Sequence, residues 1–196
     1  MIPSFLGPML GYMAVSSYTP GPGNILAMET TTRFGWREGR VLIAGICTGY
    51  LCVQTLCALA LYGLDTVLSP VLPVLRYLGA AYLVWLAVHM MRGSSDGGGE
   101  ERRRPTFREG FLLQLVNVKI YFYIMTLLSA YLIPHIHSLP ALLLAGVGVV
   151  AFGSSACLTW AFLGLKLQRA CRNHQTMIDR VLGLFLLYCA WGIARS

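Results

Sequence analysis

Charge is scarce in this sequence. Only 12% of its 196 residues are Asp, Glu, Lys or Arg, whereas 56% are hydrophobic, and the mean hydropathy is +0.64. Soluble domains carry about a quarter charged residues. The deficit therefore excludes an ordinary soluble fold and predicts one membrane-embedded domain over residues 1–196, with the lipid bilayer as its main surroundings. Cys-x-x-Cys pairs are absent. The six cysteines (Cys47, Cys52, Cys57, Cys157, Cys171 and Cys189) fall mostly within apolar runs, and the first three lie about 140° apart around a helix, sharing no face. This excludes a disulfide framework, a redox dithiol and a thiolate metal site, and no cofactor or metal is expected. His89, His135, His137 and His174 follow no ligand spacing. No Lys or Arg precedes Arg33, so the basic region of a secretory signal is missing, and the first apolar run is expected to stay in the mature protein. The formal charge of +7 sits mainly in short segments between apolar runs, where it orients helices rather than binding nucleic acid.

What is present is a series of apolar runs near the roughly 20 residues that a membrane crossing needs. Residues 5–28, 41–64, 71–91, 111–133 and 140–165 supply five. Residues 181–193 supply a sixth, which spans only if Met177 and Ile178 are counted, and a five-span arrangement is its rival. The connections are a basic turn at 33–40, a two-proline turn at 65–73, a Gly- and Arg-rich segment at 92–108, the turn Pro134-His135-Ile136-His137, and a basic segment at 166–180. The composition of residues 92–108 predicts a flexible cytoplasmic loop. In the second run, Gly45-Ile46-Cys47-Thr48-Gly49 lets another helix approach closely. Lys and Arg crowd the first, third and fifth connections, while the other connections and the termini hold only Arg76 and Arg195. The positive-inside rule then puts both termini outside. Six helices divide into two three-helix halves of opposite topology, about residues 1–95 and 105–196, as in inverted-repeat transporters. Leu78-Gly79-Ala80-Ala81-Tyr82-Leu83-Val84-Trp85 faintly echoes Leu182-Gly183-Leu184-Phe185-Leu186-Leu187-Tyr188-Cys189, and each half carries an asparagine in its first run, Asn24 and Asn117.

The first run contains Thr19-Pro20-Gly21-Pro22-Gly23-Asn24. Each proline lacks a backbone donor and clashes one turn back, at about 3 kcal/mol in a helix interior. The run is therefore expected to be a helix broken within the bilayer, with freed backbone groups that bind a small polar solute; a kink serving packing alone is the competing reading. The fourth run holds Gln114, Asn117 and Lys119 at a similar depth. A lysine at mid-membrane costs roughly 2.5–3.5 kcal/mol on insertion scales, so it faces a cavity or partner unless it snorkels to the surface. Pro20, Gly21, Pro22, Gly23, Asn24, Gln114, Asn117 and Lys119 are thus the candidate substrate-binding residues, with Lys119 on a carboxylate. Glu29 is expected to pair with Arg33 one turn on. Gly153-Ser154-Ser155 has the look of a serine-protease element, but the last run offers no histidine base, and no catalytic residue is assigned.

On these motifs the chain resembles the LysE/RhtB family of amino-acid exporters over nearly its whole length. The resemblance rests on Thr19 to Asn24, on Gly35 and Gly39 leading into Gly45 and Gly49, on Gly79 to Leu86, and on Asn117-Val118-Lys119. Val118, Gln114-Leu115-Val116 and Leu187-Tyr188-Cys189-Ala190 are similar to the branch that exports cysteine and O-acetylserine. The resemblance implies an all-α membrane protein that is no enzyme. It would export small neutral amino acids across a bacterial inner membrane, driven by an ion gradient with a proton as the expected coupling ion. A homodimer stays open. Many relatives carry a membrane-embedded aspartate in the second or fifth run, in whose regions Tyr50 and Gly153 stand here, so coupling through such a residue does not transfer. The alternative class is a six-helix scaffold or a membrane enzyme, which would need a nucleophile–base pair or metal cluster. The charge asymmetry makes a direct prediction: a cysteine placed in the Gly97–Gly99 segment should resist impermeant thiol reagents in intact cells and react after permeabilisation. Labelling in intact cells would invert the topology.

Overall fold

The computed structural model describes residues 5–63 and 104–170 continuously, together with residues 77, 81, 84, 85, 87, 88 and 91 and residues 177, 180, 181, 183, 184, 187, 188 and 191. All described secondary structure is helical: α1 (Leu6–Tyr18), α2 (Pro22–Phe34), α3 (Trp36–Gly63), α4 (Phe107–Leu115), α5 (Val118–Leu127) and α6 (Leu139–Ala170), with a π-helical turn, Leu128–Leu132, following α5. The expected break of the first run is present, with Thr19 and Gly21 extended between α1 and α2 and Pro22 opening α2. Proline suits that first position, where its missing donor would have no intrahelical partner anyway.

Three expectations need correction. The fourth run is not one helix: it starts at Phe107 and is broken at Val116-Asn117, its two parts meeting at 58°. The basic turn at 33–40 shrinks to a single residue, Gly35, whose φ of +79° requires a residue without Cβ. The loop expected to reach residue 108 ends by Thr106, because Thr106 and Glu109 form a reciprocal capping box that starts α4. Among the described residues, two helices, Trp36–Tyr62 and Leu139–Lys166, are long and apolar enough to cross a membrane, and the bent pair Phe107–Leu115 and Val118–Leu132 is a third candidate. The expected third and sixth runs lie mostly outside the described residues. Those described within them are helical, and Gly183 packs against Met91 and Ala87.

α2 is the enclosed element, with ten of its residues buried, Glu29 and Thr30 to Thr32 among them. Glu29, Thr31, Thr32 and Arg33 have partners. Glu29 meets Arg33 at 3.0 Å, as the i,i+4 spacing predicts. Thr31 Oγ1 lies 2.8 Å from the Ala161 carbonyl and Thr32 Oγ1 3.1 Å from that of Gly164. Ile25, Leu26, Leu42, Ile46, Leu113 and Cys157 form one apolar cluster, and Tyr50, Val53, Tyr123, Ile124, Leu127 and Val149 belong to a second. Leucines and valines such as Val15, Leu56, Leu144 and Val147 point outward, which suits hydrocarbon surroundings.

Glycines set how closely α3 and α4 approach. A Cβ on Gly45 would strike the Phe107 carbonyl, one on Gly49 would lie 2.8 Å from Gln114 Cβ, and one on Gly110 would strike the Leu42 carbonyl. The small-residue pattern of the second run is thus a backbone-to-backbone seam, and it presses α4 against α3 where Gln114 must sit. Gly45→Ala and Gly110→Ala should each destabilise by about 1–3 kcal/mol, since backbone cannot yield as a side chain can. Gly148→Ala, at a glycine with open space around it, should change little. Thermal unfolding in detergent measures all three, and equal melting temperatures would show that the seam tolerates expansion.

Candidate functional site

The break between α1 and α2 leaves a row of carbonyls without helical partners. Four consecutive ones, Ser17 to Pro20, are each claimed by a side chain. Asn24 Nδ2 reaches back to donate to Ser17 O at 2.8 Å and Thr19 O at 3.3 Å. Trp160 Nε1, from α6, donates to Tyr18 O at 3.2 Å. Lys119 Nζ, from the first turn of α5, donates to Thr19 O at 3.0 Å and Pro20 O at 3.3 Å. Gly21 O accepts from Ile25 N at 2.9 Å as α2 begins. The lysine therefore stands at the carbonyl end of α1, where the helix dipole favours a cation.

The second break is built differently. Asn117 is buried at the head of α5, and its carbonyl accepts from Ile120 N at 2.9 Å. Tyr121 Oη donates to Leu115 O at 3.0 Å. Asn117 Nδ2 donates to Gln114 Oε1 at 2.8 Å, while Asn117 Oδ1 is buried with no donor in reach. The two breaks meet. The head of α5 supplies Lys119 to the end of α1, and the end of α4 brings Gln114 against Gly23 at the head of α2.

Between them opens a cavity of about 510 Å³, open solvent at its mouth included. It is lined by Gly21, Gly23, Asn24, Gln114, Asn117 and Lys119 of the expected residues. Pro20 contributes its carbonyl to Lys119, and Pro22 shapes α2; neither lines the cavity. Gly21 serves through its small size. Its φ of −155° is ordinary extended backbone, and what it provides is room: a Cβ there would sit 2.9 Å from Lys119 Nζ and 3.1 Å from Lys119 Cδ.

Sequence reasoning missed the cavity's other wall. Ser17, Tyr50, Tyr123, Gly153, Ser154 and Cys157 also line it. Ser17 Oγ lies 3.4 Å from Tyr123 Oη, and the Tyr50 and Tyr123 rings stand edge to face with centroids 6.4 Å apart. Tyr50 occupies the space over bare Gly153, where a Cβ would lie 2.8 Å from Tyr50 Oη. No carboxylate or histidine is among the lining residues, and no metal-binding cluster occurs among the described residues.

A cavity between two interrupted helices in an apolar helical protein defines a membrane translocator. The chain belongs to the family of LysE type translocators, matched over residues 14–196. Similar curated proteins include the cysteine/O-acetylserine efflux proteins of Escherichia coli strain K12, Escherichia coli O139:H28 (strain E24377A / ETEC) and Shigella sonnei (strain Ss046). Each is 34% identical over 190 residues, covering 97% of this chain and 97% of the relative. No solved structure matches the chain.

The carbonyl row makes a prediction independent of transport. Asn24→Leu leaves the Ser17 carbonyl without its side-chain donor and the Thr19 carbonyl with Lys119 alone. It should cost about 1–3 kcal/mol, read as a lowered melting temperature in detergent. An unchanged melting temperature would mean that the break does not need this donor.

Proposed function

We propose that this translocator exports small neutral amino acids, cysteine and O-acetylserine first among them, from cytoplasm to periplasm, driven by an ion gradient with a proton as the coupling ion. The observation that carries this reading is the charge pattern of the cavity: one ammonium, several amides and hydroxyls, and no lining carboxylate. The substrate carboxylate would lie between Lys119 Nζ and the first backbone donors of α2, both of which favour an anion. The substrate ammonium would meet uncharged acceptors, with the buried Asn117 Oδ1 foremost. A dibasic amino acid would bring a second cation with no acid to receive it. The names of the similar efflux proteins agree with this substrate class.

The same reading holds the chain to be one domain of six spans in two inverted halves, multi-pass in a bacterial inner membrane, with both termini outside. The reciprocal meeting of the breaks supports it, since the start of α5 serves the end of α1 and the end of α4 abuts the start of α2. An axis relating the halves would pass through that junction, where inverted-repeat transporters place their sites.

Cells producing the protein should release more cysteine or O-acetylserine than vector-only cells and no more lysine. Lys119→Met should abolish that release when normalised to folded protein. Gly21→Ala, which keeps the charge but crowds it, should lower release while retaining normal abundance. Lysine release with neutral amino acids unchanged would overturn the substrate class, and full export by Lys119→Met would place the carboxylate elsewhere.

A further inference from the structure

Gln54 of α3 is 2% exposed, and neither its Nε2 nor its Oε1 has a hydrogen-bond partner. Leaving a buried amide unpaired costs about 1–3 kcal/mol by mutational measures, and the two helices it lies between contribute Val53 and Cys57 from α3 and Leu142, Val149 and Val150 from α6 to one buried apolar cluster. Such a group is expensive as core material, since a leucine would fill the space without that cost. Its position gives it another role. Tyr50, four residues earlier on the same face of α3, lines the cavity. α6 meets this pair with two bare glycines seven residues apart and so nearly in line: Tyr50 sits over Gly153, and Gln54 sits over Gly146, where a Cβ would lie 2.8 Å from Gln54 Nε2.

The α3–α6 seam is therefore held by two polar side chains seated in glycine notches. The first stands at the cavity and the second about 6 Å farther along α3. α3 begins just after the basic segment at Arg33, so the step from Tyr50 to Gln54 leads away from the cytoplasmic face in the orientation that the charges give.

We propose that Gln54 is a second binding station for the exported zwitterion, reached when the α3–α6 seam parts at Gly146 and Gly153. The station rests on the exporter reading and adds a place on the outward path to it. A primary amide suits a zwitterion in transit, because its N–H donates to a carboxylate and its oxygen accepts from an ammonium. Carrying no net charge, it holds the solute weakly enough to release it, as a conduction path requires. In the closed seam the amide is buried without partners; in the parted seam the solute and water supply them.

Two measurements test this. In a variant with its native cysteines replaced, Gln54→Cys should react with an impermeant methanethiosulfonate from outside during export. Added cysteine analogue lacking a thiol, such as serine or O-acetylserine, should slow the reaction severalfold. Gln54→Leu should bind O-acetylserine with an affinity within about twofold of wild type and melt no lower, yet export at least fivefold more slowly. Gln54→Asn, which keeps an amide, should recover part of the rate. Export by Gln54→Leu at the wild-type rate, or a Gln54→Cys thiol unreactive under all conditions, would overturn the station and mark Gln54 as a buried structural amide. Failure of wild type to export any neutral amino acid is a separate result: it would overturn the exporter reading and the station with it.

Discussion

The structure depends first on satisfying backbone carbonyls where α1 stops inside an apolar protein. Two prolines and two glycines within Pro20 to Gly23 end the helix, and carbonyls released within an apolar bundle need donors from protein or from a wet cavity. The donors come from three places: Asn24 on the far side of the break, Trp160 on α6 and Lys119 on α5. Each donor ties a different element to the break. The interruption thereby becomes the point where the helices are registered against one another, and a lysine that would be costly in hydrocarbon is placed against carbonyl oxygens that stabilise its charge.

That arrangement constrains the packing around it. Lys119 can reach the end of α1 only if α5 starts close beside it, which requires α4 to stop at Val116 and turn. α4 is in turn fixed by the seam in which Gly45 and Gly49 admit the backbone of Phe107 and Phe111, while Gly110 admits that of Leu42. α2 is held by the same economy of space, with Gly164 giving room to Thr31 and Thr32. The cavity lies where two apolar clusters meet, Ile46 and Cys157 belonging to one, Tyr50 and Tyr123 to the other. Neither cluster alone encloses it.

Much of this is legible in the residues, for reasons that also explain the failures. The first break can be read because proline lacks an N–H, a property of the residue itself. The Glu29–Arg33 pair can be read because i,i+4 spacing is local. The second break cannot be read the same way: Val116-Asn117-Val118 contains neither proline nor glycine, and its turn is stabilised by Asn117 and Tyr121 making contacts that no local pattern announces. The role of Gly21 is not local either, since its backbone is ordinary and its bareness serves Lys119, which is distant in sequence. The fit of Tyr50 over Gly153 is likewise a tertiary fact.

Lys119 joins the fold to the proposed function. The ammonium that would receive a substrate carboxylate already donates to the Thr19 and Pro20 carbonyls. A carboxylate is a stronger acceptor than a neutral carbonyl, and its bond to an ammonium is roughly twice as strong as a neutral one. Substrate arrival would then draw the lysine from the end of α1 or add to the load on it, changing what secures α1 at its break. Departure would return the ammonium to the carbonyls. A ligand shifts a conformational equilibrium only by binding its two states unequally, and a residue shared between ligand and helix end supplies that inequality directly. On this reading, the group that secures the end of the broken helix is the group through which the substrate loosens it.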